Sequence, residues 1–320
     1  MCRLDGAFLA DGFTMTVAFR TPVPLRELEQ TVSQWLRDSR LEPESWPRFI
    51  FREVGSLESN TDTRPAFTQP TVSIQAGAPG GGVRIRWALA DAEALVDELE
   101  PTATIRVTPA VYAKTDRFLR SMMVVVLLFA LRRRGRFHVH AAALENPAGE
   151  GWLLAGASGS GKSTTTALLA RNGWRVSTED IAFVESARDG AVGVRGFRTR
   201  LALRPGGAEL LSVRTGLELR DRGKIGVWPE ELGGSWIPSI VPKVILFCTV
   251  GGEQTTIQRI SGMDAMRGLL QWSMWVLFET VAATDHLELL SALTAQTRSF
   301  RVQLGKDLFD RPDLLQEAVG

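Results

Sequence analysis

The chain has 320 residues and a formal net charge of +1, so it is long enough for two domains and has no global field that would attract nucleic acid. Its composition, 44% hydrophobic and 23% charged, is ordinary for a soluble globular protein. The two cysteines, at positions 2 and 248, form neither a zinc-binding pattern nor a disulfide framework, and a cytoplasmic protein is therefore expected.

Residues 1–110 predict a small N-terminal α+β domain. Alternating or apolar runs predict strands at residues 13–20, 49–54, 72–75, 83–89 and 103–107. Helical spacing of apolar residues predicts helices at 25–37 and 92–99. This part of the chain contains no catalytic motif, so substrate recognition or oligomerisation is its expected role.

Residues 111–320 predict a second, α/β domain in which strands and helices follow one another along the chain. Its first helix, 115–134, contains the most apolar run of the chain, residues 122–131. That run is about half as long as a membrane span, so a buried helix is predicted and no membrane partner is expected. Strands are predicted at 137–144, 151–155, 174–177, 181–184, 195–203, 243–250 and 300–304, and helices at 163–172, 264–280, 286–296 and 312–318.

A glycine-rich loop between the strand at 151–155 and the helix at 163–172 has the pattern G-x-x-x-x-G-K-[ST]. In this context the loop amides and the helix N-terminus bind phosphate oxygens, the lysine reaches the outer phosphates, and the serine hydroxyl holds Mg²⁺. The sequence therefore predicts that ATP or another nucleoside triphosphate binds with Mg²⁺. The predicted binding residues are Gly156, Ala157, Ser158, Gly159, Ser160, Gly161, Lys162, Ser163 and Thr164.

Two adjacent acids, Glu179 and Asp180, follow one helix and one strand after the loop. A hydroxyl acceptor needs a carboxylate to take its proton, and Mg²⁺ needs a second oxygen ligand besides Ser163. Neighbouring residues on a regular strand face opposite ways, so both acids serve one site only if the strand ends there. If it continues, Asp180 is retained, and Ser163 and Asp180 are the predicted metal ligands.

Five further cations, four arginines and one lysine, are candidates for a clamp on phosphate or on an acidic peptide, and alternation along a regular strand would put Arg198, Arg200 and Arg204 on one face. Arg198 and Arg200 belong to a basic run that also contains Arg195 and Arg204, and Lys224 follows in a flexible stretch. A solvated basic edge is the alternative for the arginines, and a surface turn is the alternative for Lys224.

The segments HVHAAA at 138–143, GASGSGKST at 156–164 and RNGWRVSTED at 171–180 together resemble the catalytic half of HPr kinase/phosphorylase. They resemble more closely the HPr-kinase-related proteins, some of which phosphorylate serine in ribosomally made peptides. The resemblance implies an HPr-kinase-like fold for residues 111–320, which is a P-loop catalytic domain with a mixed sheet and flanking helices. It further implies catalytic roles for Lys162 and His140, with His140 hydrogen-bonded to the acidic pair. It also implies that Glu179 stands where the family has an aspartate as base, while Asp180 matches the second acid.

These observations predict an ATP- and Mg²⁺-dependent phosphotransferase acting on a hydroxyl, with a serine of a peptide or protein as the expected acceptor. Two alternatives stay open: a kinase for a small molecule such as serine or a sugar, and a nucleotide-sensing regulatory protein that transfers nothing. Nucleic acid is not an expected partner, and assembly into a homo-oligomer is a further expectation.

Overall fold

The computed structural model describes residues 6–10, 13–17, 47–57, 67–68, 72–77, 82–113, 116–187, 190–213, 217–219, 223–273, 279 and 282–320. The chain divides into two compact units, one drawn from Met1–Phe137 and Trp275–His286 and the other from His138–Met274 and Leu287–Gly320. The helix predicted at 115–134 therefore belongs to the first unit. The division of the chain into functional domains at residue 110 stays a prediction.

The first unit contains an eight-stranded sheet in the order β1–β2–β3–β8–β7–β6–β5–β4. Strand β3 runs parallel to β2 and β8, and the other neighbours are antiparallel. The strands are β1 Gly6–Ala10, β2 Phe13–Val17, β3 Arg48–Glu53, β4 Phe67–Thr68, β5 Ser73–Ala76, β6 Val83–Trp87, β7 Ala92–Val96 and β8 Thr102–Val107.

Strand β7 corrects the sequence analysis, because residues 92–99 were predicted to be helical. The strand pairs with β6 on one side and β8 on the other, so the sheet satisfies its backbone hydrogen bonds on both edges. Glu93 is buried and lies 3.2 Å from Arg106 and 3.5 Å from Arg84 across these neighbours. Pairing overrides the helix preference of this Ala- and Glu-rich segment. The helix predicted at 25–37 lies outside the described residues.

Six α-helices lie in the described part of the chain: α1 Asp116–Arg132, α2 Lys162–Arg171, α3 Pro205–Leu210, α4 Gly262–Gln271, α5 Ala283–Gln296 and α6 Leu314–Val319. None of these helices combines the length and apolarity that a bilayer crossing requires. The predicted helix 264–280 is confirmed as far as Gln271, and it begins after Ser261, whose hydroxyl accepts the Asp264 backbone N–H at 3.1 Å. The prediction is wrong at 272–273, because Trp272 is the C-cap residue and Ser273 is not helical. Residues 274–278 lie outside the described residues.

The second unit contains a seven-stranded mixed sheet in the order β18–β12–β10–β11–β20–β22–β21. A four-stranded sheet has the order β19–β14–β13–β9, and a three-stranded sheet has the order β15–β17–β16. The strands are β9 Phe137–Val139, β10 Ala141–Glu145, β11 Gly151–Ala155, β12 Arg175–Thr178, β13 Ala182–Ser186, β14 Val192–Gly196, β15 Leu201–Leu203, β16 Leu217–Leu219, β17 Lys224–Val227, β18 Ser235–Trp236, β19 Ser239–Ile240, β20 Pro242–Val250, β21 Thr256–Arg259 and β22 Arg298–Leu304.

The core of the second unit lies around the central strands β10, β11, β20 and β22 and the buried face of α2. Trp152 on β11 packs edge-on against Trp174, with ring centroids 5.0 Å apart. Strands β11, β20 and β22 are mutually parallel. Strand β11 and the middle of β20 are buried, which fits their apolar sequences, whereas β22 alternates buried and exposed residues. The mixed α/β fold is therefore confirmed.

The strand predicted at 137–144 is divided. Strand β9 belongs to the four-stranded sheet and β10 to the seven-stranded sheet, and His140 lies at the break between them. His138 and His140 were expected on one face of a single strand. The break instead separates them, because the chain leaves one sheet and enters another between these residues.

A buried polar cluster joins distant parts of the first unit. Nε of Arg132, at the end of α1, donates to Glu279 at 3.0 Å, and both side chains are 2% exposed. Arg133 also pairs with Glu279. His286 lies inside α5, fully buried, with Nδ1 at 3.2 Å from the Arg132 guanidinium. Its ring stacks on Phe137 with centroids 4.7 Å apart.

Candidate active site around the glycine loop

The glycine loop connects buried strand β11 to helix α2, as predicted, and two of its glycines are required by the backbone. Gly156 and Gly161 have φ values of 154° and 92°, in the region that disfavours residues with a Cβ. A Cβ on Gly156 would lie 2.6 Å from the Cys248 carbonyl oxygen. A Cβ on Gly161 would lie 2.8 Å from the Leu304 side chain. The loop can therefore approach strands β20 and β22 only with glycine at these positions.

The Lys162 ammonium is buried inside the loop and has three acceptors. Nζ donates to the carbonyl oxygens of Gly156 at 2.7 Å and Ala157 at 3.2 Å, and it lies 3.1 Å from Nε2 of His140. Burial lowers the pKa of Lys162, and the neighbouring Asp180 carboxylate opposes that effect. The lysine is thus a desolvated cation, with its charge balanced by an acid across the site.

His140 connects Lys162 to Asp180. Its Nδ1 lies 3.1 Å from a carboxylate oxygen of Asp180, while Nε2 faces Lys162. An ammonium group can only donate hydrogen bonds, so Nε2 accepts, and the proton of the neutral ring is on Nδ1, directed at Asp180. Burial lowers the pKa of His140, Asp180 opposes this, and Lys162 reinforces it. The backbone N–H of His140 donates to the Trp272 carbonyl at 2.8 Å, which holds the residue in place.

Glu179 and Asp180 both face this site because β12 ends at Thr178, before the two acids. Glu179 is buried and accepts a hydrogen bond from the Ser163 hydroxyl. Asp180 has a 54% exposed side chain and contacts His140 instead. Ser163 therefore contacts Glu179 and not Asp180, while the prediction that Ser163 and Asp180 are metal ligands stays a prediction. The bend after Thr178 directs the two carboxylates to different partners. Asp180 contacts His140, and Glu179 contacts Ser163.

The pKa of Glu179 is raised to about 7. Burial is the largest cause, and the nearby Asp180 charge adds to it, whereas the hydrogen bond from Ser163 and the charge of Lys224 oppose it. A carboxylate held beside a hydroxyl in a desolvated position has oxygen donors of the type that Mg²⁺ prefers. Ser163 and Glu179 therefore fit the requirements of a cation ligand pair better than Ser163 and Asp180.

These side chains line one cavity of about 820 Å³ in the second unit. Its charged and titratable lining residues include His140, Lys162, Glu179 and Asp180. Apolar side chains also line it, namely Leu168, Leu210, Leu304, Leu308 and Phe309. Of the predicted loop residues, Ser158, Gly159, Gly161, Ser163 and Thr164 line this cavity as well. Gly156, Ala157 and Ser160 line a second cavity of about 560 Å³. The lining of the first cavity thus combines charged and apolar groups, as a ligand with both characters requires.

Arg198 and Arg200 do not line this cavity. Residues 197–200 have no regular strand structure, so the expected alternation of side chains does not apply there. The guanidinium carbon of Arg200 lies 4.8 Å from the centroid of the Trp228 ring, and that of Arg198 lies 5.2 Å from it. Arg198 pairs with Glu230 at 3.0 Å and Arg200 with Glu231 at 3.4 Å. Both guanidinium groups are therefore already bound by side chains of residues 228–231.

Lys224 and Arg204 do line the cavity. Lys224 begins strand β17, in place of the surface turn considered from the sequence. Arg204 follows β15 and precedes the short helix α3. The sequence made Arg204 one of four candidate arginines, since nothing in that run distinguishes it from Arg198 and Arg200.

His138 is a core residue. Its ring is 6.2 Å from that of Phe183 in an edge-on arrangement, and burial lowers the pKa of His138 to about 3. The histidine that faces the cavity is His140, as the sequence analysis expected. The ring of Trp272 lies next to His140, with centroids 6.1 Å apart, and Trp272 lines the second cavity.

No family model matches the chain, and no curated protein matches it. Among solved structures, the chain is similar to the HPr(Ser) kinase/phosphatase from Coxiella burnetii, with a TM-score of 0.28 and 12% sequence identity. The alignment covers 57% of this chain and 93% of that chain. A TM-score of this size supports no argument about fold or activity, and the family resemblance of the motifs stays an interpretation.

Proposed function

We propose that this chain is an ATP- and Mg²⁺-dependent phosphotransferase that moves the γ-phosphoryl group to a hydroxyl, namely a serine of a peptide or protein. The observation that carries the proposal is the chain of contacts from Lys162 through His140 to Asp180. A loop that only holds a nucleotide needs a lysine. It does not need an oriented histidine and a second carboxylate beside that lysine.

Binding of the phosphates is assigned to the loop amides, the start of α2 and Lys162. The helix N-terminus carries partial positive charge and unpaired N–H groups, both of which favour an anion. The Lys162 ammonium has its three donors on Gly156, Ala157 and His140. It therefore exchanges at least one of these contacts when it bonds a phosphate oxygen.

Ser163 and Glu179 are assigned to Mg²⁺. They supply a hydroxyl and a carboxylate, and water and phosphate oxygens would supply the rest of the near-octahedral shell. When bound, the ion would neutralise charge on the phosphate oxygens. Glu179 must lose its proton to act as a ligand, and the raised pKa of Glu179 makes this step dependent on pH near neutrality.

Asp180 is assigned as the proton acceptor. The acceptor hydroxyl oxygen forms a bond to the γ-phosphorus, the bond from that phosphorus to the bridging oxygen breaks, and ADP leaves. The hydroxyl proton passes to the Asp180 carboxylate, which the Nδ1–H of His140 orients. His140 is thus a positioning residue, and Lys162 keeps it neutral by occupying Nε2.

A serine on a peptide or protein is the acceptor that this arrangement favours. Just over half of the Asp180 side chain is exposed, so an acceptor attached to a larger molecule can reach it from outside. A kinase for a small hydroxylated metabolite and a nucleotide sensor without transfer are the competing functions, and each predicts a different experimental result.

The test combines binding with transfer. Calorimetric titration with a non-hydrolysable ATP analogue measures binding, and γ-labelled ATP with peptide libraries or a lysate, read by mass spectrometry, measures transfer. We expect Lys162→Ala to lose both activities, and Asp180→Asn to keep binding and lose transfer. Matched controls are Lys243→Ala, an exposed lysine on β20, and Asp310→Asn, an exposed aspartate, neither of which lines the cavity.

Labelling that survives both site substitutions would exclude the assigned site. If the ATP analogue binds tightly but no acceptor is labelled, the proposed kinase function is wrong and a nucleotide sensor is the better assignment. If a small metabolite in the lysate is labelled and no peptide or protein is, the proposed acceptor is wrong, but the proposed phosphoryl transfer to a hydroxyl is supported.

A further inference from the structure

Arg204 lies against the tip of the glycine loop. A Cβ built on Gly159 would be 3.3 Å from Nη2 and 3.5 Å from Nη1 of Arg204. The guanidinium therefore lies within contact distance of the loop backbone, on a residue that lines the same cavity as Lys162. The side chain makes no capping bond to α3, although the residue stands at the N-cap position.

Lys224 lies beside Arg204 at the same end of a strand pair. Strands β15 and β17 are antiparallel, with Leu203 opposite Ile225. Arg204 comes directly after Leu203, and Lys224 comes directly before Ile225, so the register brings both cations to one edge. The backbone N–H of Ala202, on β15, donates a hydrogen bond to the Glu179 carboxylate. This edge of the strand pair therefore lies beside the acids.

Neither cation forms an ion pair or a side-chain hydrogen bond with a described residue, although the charge of Lys224 acts on nearby Glu179. Arg198 and Arg200 are the opposite case, because each pairs with a glutamate and stacks on Trp228. Arg204 is exposed and Lys224 is partly exposed, so both can reach a ligand in the cavity, and an anion bound between them would offset their mutual repulsion.

We propose that Arg204 and Lys224 form a cationic clamp that contacts the terminal phosphate of the bound nucleoside triphosphate. The inference rests on the proposed function and adds two phosphate-contacting residues to it. Arg204 reaches the terminal phosphate from the loop tip, and Lys224 reaches it from the side of the acids. A planar guanidinium can bond two phosphate oxygens at once, and such a group offsets the charge that develops during transfer.

The clamp has a signature that ordinary phosphate binding lacks. The terminal phosphate is present in ATP and absent from ADP, so loss of the clamp weakens the first ligand selectively. A charge-assisted hydrogen bond is worth about ten- to hundred-fold in affinity. The Arg204→Ala and Lys224→Ala variants are therefore expected to weaken binding of the non-hydrolysable ATP analogue at least about ten-fold, and that of ADP less than about three-fold.

Calorimetric titration of both nucleotides with Mg²⁺ tests this on the full chain. Arg204→Lys should restore part of the affinity for the analogue, because it keeps the charge and loses the fork geometry. Arg200→Ala is the matched control and should change neither affinity. Circular dichroism checks that each variant is folded.

The clamp is overturned if the wild type binds both nucleotides, Lys162→Ala loses both, and Arg204→Ala and Lys224→Ala behave like Arg200→Ala. In that case the proposed function survives. If the wild type binds neither nucleotide, the proposed function fails and the clamp fails with it. Equal losses for ADP and the ATP analogue in the clamp variants would also overturn a contact with the terminal phosphate.

Discussion

Replacing Glu179 by glutamine should reduce the loss of folding stability that the second unit undergoes as pH rises. The substitution keeps the shape of the side chain and an oxygen that accepts the Ser163 hydroxyl, but it removes the buried charge. In the wild type, the pKa of Glu179 is about 7 when folded, against an ordinary value of 4.5. The folded protein therefore binds more protons than the unfolded chain between these values, and its free energy of unfolding falls as pH rises through this window.

The magnitude follows from the two pKa values. Each ten-fold difference in proton affinity corresponds to about 1.4 kcal/mol, so the ionised carboxylate costs the folded state about 3 kcal/mol once pH exceeds 7. The penalty is nearly absent below pH 4.5 and develops as pH rises to 7. Between pH 5 and pH 8, the stability of Glu179→Gln relative to the wild type should increase by about 2 kcal/mol.

Urea denaturation at pH 5, 6, 7 and 8, in buffer with chelator, measures this difference. Tryptophan fluorescence is a suitable signal, because Trp152 and Trp174 pack together in the core of the second unit. The control is Glu209→Gln, on the exposed surface of α3. The difference in free energy of unfolding between this variant and the wild type should be the same at each pH. A constant stability difference between Glu179→Gln and the wild type from pH 5 to pH 8 would refute the reasoning.

Two further substitutions test packing and buried charge. Gly196→Ala should lower the free energy of unfolding by about 2 kcal/mol or more, because a Cβ there would lie 2.1 Å from the Cβ of Thr178, as chemical denaturation can show. Glu279→Gln should cost about 3 kcal/mol, because it leaves the Arg132 guanidinium buried without its counter-charge, and thermal unfolding can detect the loss.

Each of these has an internal control. Gly262→Ala adds a Cβ with no atom within 4 Å and should leave stability almost unchanged, so equal effects at Gly196 and Gly262 would contradict the steric argument. Glu230→Gln breaks an exposed ion pair with Arg198 and should cost less than about 1 kcal/mol. A Glu279→Gln variant as stable as Glu230→Gln would contradict the buried-charge argument.

The strand, glycine turn and helix around the loop were predictable because the determinants are contiguous in sequence. A short apolar run, glycines at defined spacing and a helix ended by Gly173 each act locally. Gly173 has a left-handed φ of 81°, as a helix-ending glycine should.

Other features depend on contacts between distant residues. Strand β7 is extended only because it pairs with β6 and β8. The helix preference of residues 92–99 contains no information about these two neighbouring strands. The partner of Ser163 depends on a bend after Thr178, which the pattern of two adjacent acids does not specify. The choice of Arg204 over Arg198 and Arg200 depends on the register of β15 with β17.

The buried pair of Arg132 and Glu279 joins residues 147 positions apart, and it has a consequence for biosynthesis. A ribosome releases the chain from the N-terminus, so α1 leaves the exit tunnel long before Glu279 and His286 have been added. The first unit cannot complete its polar interior until Glu279 and His286 have been translated, and the second unit in turn needs β22, which comes later still. A fragment that ends soon after α1 would carry an unneutralised guanidinium, and a nascent chain stalled there should be a substrate for chaperones rather than a finished fold.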